Sequence, residues 1–227
     1  KPDTGNTLDL QLAKELYEVS LDAASDDNIK ALILTANGKL FCGGGNLKFL
    51  LSKKKEVKKT LLEMTMYFHG AISRMAQMSA PIIVGVNGTA GGGGFSLAIT
   101  GDIIYAVKDA KFTLAYTNAG LSPDGSSTYY LPRIVGMKRA KELMLTNRLF
   151  SAEEGFDMGL IDLVVNTNEE LTEALNKQAE VFSKGPINAY KSVKKLLSES
   201  FNNGLETQME KESIHISNNA ASKHGIE

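Results

Sequence analysis

Cysteine is all but missing from this 227-residue sequence. The single residue, Cys42, leaves no partner for an intramolecular disulfide and no set for a four-cysteine zinc site. That usage fits a reducing compartment such as the cytoplasm, and no metal site is expected. An excess of one charge is missing too. Lys and Arg number 25 against 26 Asp and Glu, a formal charge of −1, so no global field draws the chain to nucleic acid or to an anionic membrane. No apolar run approaches the ~20 residues of a membrane span, and no signal peptide opens the chain. It begins Lys1-Pro2-Asp3 without methionine, as a trimmed sequence does, and carries no reading of targeting.

What is present suffices for a core. At 43% hydrophobic residues, with no break in composition, the chain is expected to form one domain over 1–227. Leu8, Leu12, Leu16, Leu21 and Ala24 recur at helical spacing and predict an amphipathic helix over 8–24. Residues 29–35 predict a short buried strand, Asn37-Gly38 a turn, and 41–47 a glycine loop. The lysines at 53–55, 58 and 59 predict a solvated, mobile stretch. A methionine-rich helix over 60–78 is stopped by Pro81. The apolar run Ile82-Ile83-Val84-Gly85-Val86 predicts a strand covered on both faces. A second glycine run, 87–94, opens an apolar helix over 95–100. Strands are predicted at 102–106 and 111–114 and a loop at 119–128. Helices are predicted at 137–147, 151–158 and 168–184 and through 186–218. Strand, glycine loop and helix, met twice, is α/β construction.

Glycine between a strand and a helix lets backbone N–H groups approach a ligand, or lets the helix pack tightly on its strand. Neither run ends in Gly-Lys-Ser/Thr, which excludes a Walker loop. A dinucleotide fingerprint would want an acidic residue ~20 positions on, and Asp102 and Asp109 come too early. One N–H from each run meeting at a single oxygen would form an oxyanion hole.

Several motifs in order carry a family resemblance. They are Phe41-Cys42-Gly43-Gly44-Gly45-Asn46-Leu47, Asn87-Gly88-Thr89-Ala90-Gly91-Gly92-Gly93-Gly94, Gly101-Asp102-Ile103-Ile104-Tyr105-Ala106, Gly120-Leu121-Ser122-Pro123-Asp124-Gly125, Leu131-Pro132-Arg133 and Ser151-Ala152-Glu153-Glu154. Together they resemble the crotonase (enoyl-CoA hydratase/isomerase) family over about residues 5–200. The resemblance implies a spiral of β-β-α units over about 1–135 and a helical trimerisation region over about 136–227. It implies an acyl-CoA thioester as substrate, with coenzyme A as part of that substrate and no separate cofactor. The assembly it implies is a homotrimer or a dimer of trimers. Gly45 and Gly93 would hold the thioester oxygen, and Cys42, Gly43, Gly44, Asn46 and Leu47 would lie along the coenzyme A near its adenine.

The family's hydratases use two glutamates, whose positions here hold Ser96 and Tyr116, so ordinary hydration is not expected. Asp124 stands where the family's isomerases, ring-epoxide isomerases among them, keep an acidic residue. An isomerase that moves a double bond by proton transfer through Asp124 is the leading expectation. An aromatic acyl-CoA dehalogenase or hydrolase is the rival, with Asp124 as nucleophile and His69, twelve positions before Pro81, as base. The tryptophan that the dehalogenases keep beside the nucleophile is Tyr116 here, in a chain with no tryptophan. A weak hydratase and a non-catalytic CoA-binding module complete the alternatives. Outside the family motifs, Pro-Asp-Gly is turn chemistry, Cys42 a packing residue, and His215 and His224 structural or exposed. The lysine cluster is a solvated face or a meeting point for CoA phosphates.

Overall fold

The computed structural model of the chain describes residues 1–222 and 225; His224 lies outside the described residues. Helix α1 (Leu10–Ser25) starts where the Asp9 side chain accepts the Leu12 N–H at 2.9 Å. Strands β1 (Leu32–Leu34) and β2 (Leu40–Cys42) follow, then α2 (Leu47–Ser52) and α3 (Val57–Gln77), which packs along α1. The same order returns as β3 (Ile82–Val86), β4 (Thr89–Gly91) and α4 (Gly93–Ala98). It returns again as β5 (Ile103–Val107), β6 (Lys111–Thr113), α5 (Ser127–Val135) and α6 (Met137–Thr146). Strand β7 (Phe150–Ser151), α7 (Ala152–Asp157), β8 (Leu163–Val165) and α8 (Asn168–Lys184) complete the body. The hairpin of α9 (Ile187–Glu199) and α10 (Leu205–Ala220) ends the described chain.

The strands form two four-stranded sheets, β1-β3-β5-β8 and β2-β4-β6-β7. Every pair is parallel except β6 with β7. Each of the first three turns of the chain lays one strand in each sheet and then a helix, which is the expected β-β-α spiral. Strand β3 lies inside its sheet, and all five of its residues are buried, as its unbroken apolar run requires. A Cβ on Gly85 would stand 2.4 Å from Leu175 Cδ1, so α8 rests directly on that strand.

Some expectations are corrected. Residues 41–42 and 89–91, read within the glycine runs, belong to strands β2 and β4 of the second sheet. Their three residues carry no alternation, and pairing alone makes them strands. The loop read at 119–128 gives way at Ser127 to α5, a helix the sequence reading lacked, because its Pro132 reads locally as a breaker. The lysine stretch is exposed apart from the half-buried Lys53, and from Val57 onward it belongs to α3. The region from 136 is helical as expected, and it also supplies the short strands β7 and β8 to the sheets.

Among the described residues, no helix is long and apolar enough to cross a membrane. No cluster of three His, Cys, Asp or Glu side chains is placed to hold a metal ion. Helix α10 has no buried residue, and Leu205, Met209, Ile214 and Ile216 on it are exposed. His215 is partly buried and structural: its Nδ1 lies 2.9 Å from Ser192 Oγ and ties α10 to α9.

Candidate active site

The two glycine runs cross each other at the ends of β2 and β4. Gly44, at φ +87°, would place a Cβ 2.6 Å from the Gly91 carbonyl oxygen, and a Cβ on Gly94 would stand 2.2 Å from the Cys42 carbonyl oxygen. These glycines serve close backbone packing. Gly45 differs: a Cβ there meets nothing within 4 Å.

A bridge to Leu8 sets the orientation of Gly45. Leu8 donates its N–H to the Gly44 carbonyl and accepts the Asn46 N–H, each at 2.7 Å. In such a parallel bridge the residue between the two partners turns its own N–H to the opposite side. Gly93 is the first residue of α4, where an N–H has no intrahelical acceptor. Neither N–H is donated to a turn, loop or cap carbonyl among the described residues. Helix α4 is anchored by Phe95, fully buried against Phe112 and Phe150 at centroid distances of 6.4 and 6.0 Å.

Gly45 and Gly93 line one cavity of about 540 Å³ together with Gly43, Gly44 and Leu47 of the first run. Its walls are mostly apolar, from Leu50, Val57, Leu61, Leu62, Met64, Phe68 and Leu121, and its polar side chains are Lys58, Thr65, Tyr116, Ser122 and Asp124. Cys42 and Asn46, expected along the ligand, do not line it. Cys42 is buried, which pushes its thiol up to about 11. The Asn46 side chain caps α2 by accepting the Phe49 N–H at 2.9 Å.

Asp124 is the only carboxylate among the residues lining this cavity. Its Oδ1 accepts the Tyr116 hydroxyl at 2.7 Å, and the Tyr116 oxygen lies 2.7 Å from Ser96 Oγ. A hydroxyl has one hydrogen. With that hydrogen on Asp124, the Ser96 hydroxyl must donate to Tyr116, and the three residues form a directed chain. Burial, and then the nearby Asp124 charge, push the Tyr116 phenol far above its usual range, so it remains a donor. The other oxygen, Oδ2, lies 3.2 Å from His69 Nε2. That same nitrogen accepts the Gly125 N–H at 3.1 Å. Ser96 is fully buried behind Tyr116, and neither it nor His69 lines the cavity.

The tight turn after Pro123 makes this possible. Gly125, at φ +58°, would place a Cβ 2.6 Å from Phe68 Cε1 and 2.8 Å from Ser96 Cβ. A side chain there would drive the aspartate away from its partners. Chemically, the cavity offers two backbone donors free to meet a negative oxygen and one carboxylate able to take and return a proton. The sequence placed Ser96, Tyr116, His69 and Asp124 among the candidates. It did not show that all four form one hydrogen-bonded cluster, nor that Thr65 lines the same cavity; Lys58 entered only as part of the lysine cluster.

A sequence model of the family described as enoyl-CoA hydratase/isomerase matches residues 1–226. The chain is 30% identical over 213 residues to 4-chlorobenzoyl coenzyme A dehalogenase-2 of Arthrobacter sp, covering 93% of this chain and 77% of that one. To 1,2-epoxyphenylacetyl-CoA isomerase of Escherichia coli (strain K12) it is 31% identical, over 93% of this chain and 81% of the relative. The fold superposes on the crystal structure of an enoyl-CoA hydratase from Polaromonas sp. JS666 with a TM-score of 0.93 at 31% identity, over 99% of this chain and 87% of that one.

Proposed function

The chain belongs to the enoyl-CoA hydratase/isomerase family, and on that premise we propose that it moves the double bond of an enoyl-CoA thioester by proton transfer through Asp124. One observation carries the reading: a single carboxylate, Asp124, faces a cavity that also holds Gly45 and Gly93. The α-proton of a thioester is too weakly acidic for a carboxylate to remove unaided. Two aimed N–H donors offset this as charge reaches the thioester oxygen, and losing one such donor typically costs ~3 kcal/mol. Moving a double bond then needs one group that takes a proton from one carbon and returns it to another. Tyr116 fixes Asp124 Oδ1, which leaves Oδ2 for that work.

Hydration would need a second acid–base group. The two positions where the family's hydratases carry glutamate are Ser96 and Tyr116, bonded here to each other. Coenzyme A enters as part of the substrate, its adenine near residues 40–48. Its phosphates meet the cationic rim beside Lys58, which lines the cavity. The exposed apolar residues of α10 fit burial against further copies, as a trimer or a dimer of trimers.

A second reading rests on the 3.2 Å contact of His69 with Asp124. There Asp124 attacks an aromatic ring carbon and displaces its halide, and His69 activates the water that hydrolyses the aryl ester, freeing the carboxylate and a hydroxyaryl thioester. A panel of thioesters separates the readings: a 3-enoyl-CoA, a halobenzoyl-CoA and crotonyl-CoA. Double-bond migration supports the isomerase, halide release the dehalogenase, water addition a hydratase. Binding without turnover would mark a CoA-binding module and sink the enzyme reading.

A further inference from the structure

Two cavities of the protein meet at one pair of side chains. The first reaches Asp124 but not His69. The second, of about 970 Å³, is lined by His69 with Ser73, Thr100, Ser126 and Arg133, and Asp124 is not among its walls. Between them lie only the 3.2 Å from Asp124 Oδ2 to His69 Nε2.

That nitrogen also accepts the Gly125 N–H at 3.1 Å. A ring nitrogen of histidine carries either a lone pair or a proton in its plane, not both. With the lone pair, Nε2 accepts from Gly125 and is a base within reach of a protonated Asp124. With the proton, it donates to Asp124 Oδ2 and the Gly125 bond lapses. The two hydrogen bonds are alternatives, and exchanging them is the transfer of one proton. The histidine side chain is 48% exposed, and its Nδ1 has no hydrogen-bond partner among the described residues.

Resting on the isomerase reading above, we propose that His69 relays the proton held by Asp124 to and from the second cavity, so that the hydrogen delivered to product comes from solvent. Asp124 takes a proton from the substrate carbon, and the electron pair of the broken C–H bond stays in the enolate. The carboxyl O–H bond then breaks as Nε2–H forms, giving carboxylate and imidazolium. The imidazolium gives up this same Nε2 proton to water of the second cavity, which the half-exposed ring lines, and keeps the one on Nδ1. The reverse steps bring a solvent proton to Asp124 for delivery to the second carbon. His69 acts through Asp124 and does not touch the substrate.

The test is a single turnover of trans-3-hexenoyl-CoA in D₂O, with product deuterium read by mass spectrometry, for the wild-type chain and His69→Gln. Glutamine keeps an acceptor for the Gly125 N–H and cannot carry a proton onward. Most wild-type product should hold one deuterium at the carbon that gains hydrogen, and the labelled fraction should fall by about 10-fold in the variant, whatever its rate. Equal labelling in both, or unlabelled wild-type product, overturns the relay. If wild type moves no double bond, the isomerase reading fails by itself. The relay is then read by NMR as exchange of the thioester α-hydrogen. Exchange slowed about 10-fold in the variant supports it; equal rates, or no exchange in wild type, overturn it. If His69→Gln does not fold, His69→Ala with added imidazole replaces it. Labelling restored by imidazole supports the relay, and labelling that stays low overturns it.

Discussion

Tyr116 donates its hydroxyl hydrogen to Oδ1 of Asp124 over 2.7 Å and so ties down one of the two carboxylate oxygens. Two hydrogen bonds and deep burial hold the phenol, while Asp124 itself remains partly exposed at 32% of its side chain. The rigid partner is the tyrosine. It aims the aspartate, much as a supporting residue orients a catalytic base.

Tyr116→Phe removes that donor and keeps the ring. A hydrogen bond to a charged group is worth ~1.5–3 kcal/mol, so kcat should fall about 10- to 100-fold if the orientation of Asp124 limits turnover. The Michaelis constant should move little, because the thioester contacts lie elsewhere. Steady-state kinetics with a 3-enoyl-CoA decides it. Full turnover in the variant would remove Tyr116 from the positioning of Asp124.

Asp124→Asn keeps size and loses the basic carboxylate. Turnover should drop by about 10²–10⁴-fold, the usual worth of a positioned acid–base group. Affinity for the thioester, measured by calorimetry, should stay close to that of wild type. Unchanged single-turnover rates with both a 3-enoyl-CoA and a halobenzoyl-CoA would exclude Asp124 from the chemistry.

Gly125→Ala and Gly120→Ala form an instructive pair. Both glycines have positive φ, +58° and +69°, but a Cβ at Gly120 meets nothing within 4 Å whereas one at Gly125 strikes Phe68 and Ser96. The Gly120 change should cost only the ~1–2 kcal/mol of a left-handed alanine. The Gly125 change adds overpacking, for a further ~1–3 kcal/mol, and should lower activity with it. Urea denaturation midpoints measure the difference; equal midpoints would mean that the turn yields without strain.

Hydration of crotonyl-CoA should be negligible, and glutamate at positions 96 and 116 should not restore it. Ser96 is fully buried, with the backbone of Gly125 packed against it, so a glutamate has neither room nor solvent. The double variant should instead unfold at lower urea. Water addition by wild type at ordinary enzymatic rates would show that Asp124 alone performs both proton transfers.

Sedimentation equilibrium at micromolar concentration should give three or six chains per particle, since the exposed Leu205, Met209, Ile214 and Ile216 leave α10 without a buried side chain of its own. A stable monomer would contradict this.

The sequence by itself determined the long elements and marked the glycines that line the cavity. The unbroken apolar run of β3 can only be buried on both faces, and the leucine spacing of α1 is that of a helix. The ordered motifs also marked Gly45, Gly93 and Asp124, which share one cavity. Strands of three residues such as β2 and β4 exist through each other, with partners 48–49 residues apart, and no local pattern encodes them. The same holds for the cluster around the aspartate. Ser96 and Tyr116 are 20 positions apart, His69 and Asp124 are 55 apart, and hydrogen bonds of that reach are set by the crossing of elements. Within the first glycine run, the bridge to Leu8 decided that Gly45 turns outward, while burial took Cys42 and capping took Asn46 away from the cavity. A residue's type limits what it can do; which neighbours satisfy its hydrogen bonds decides what it is left free to do.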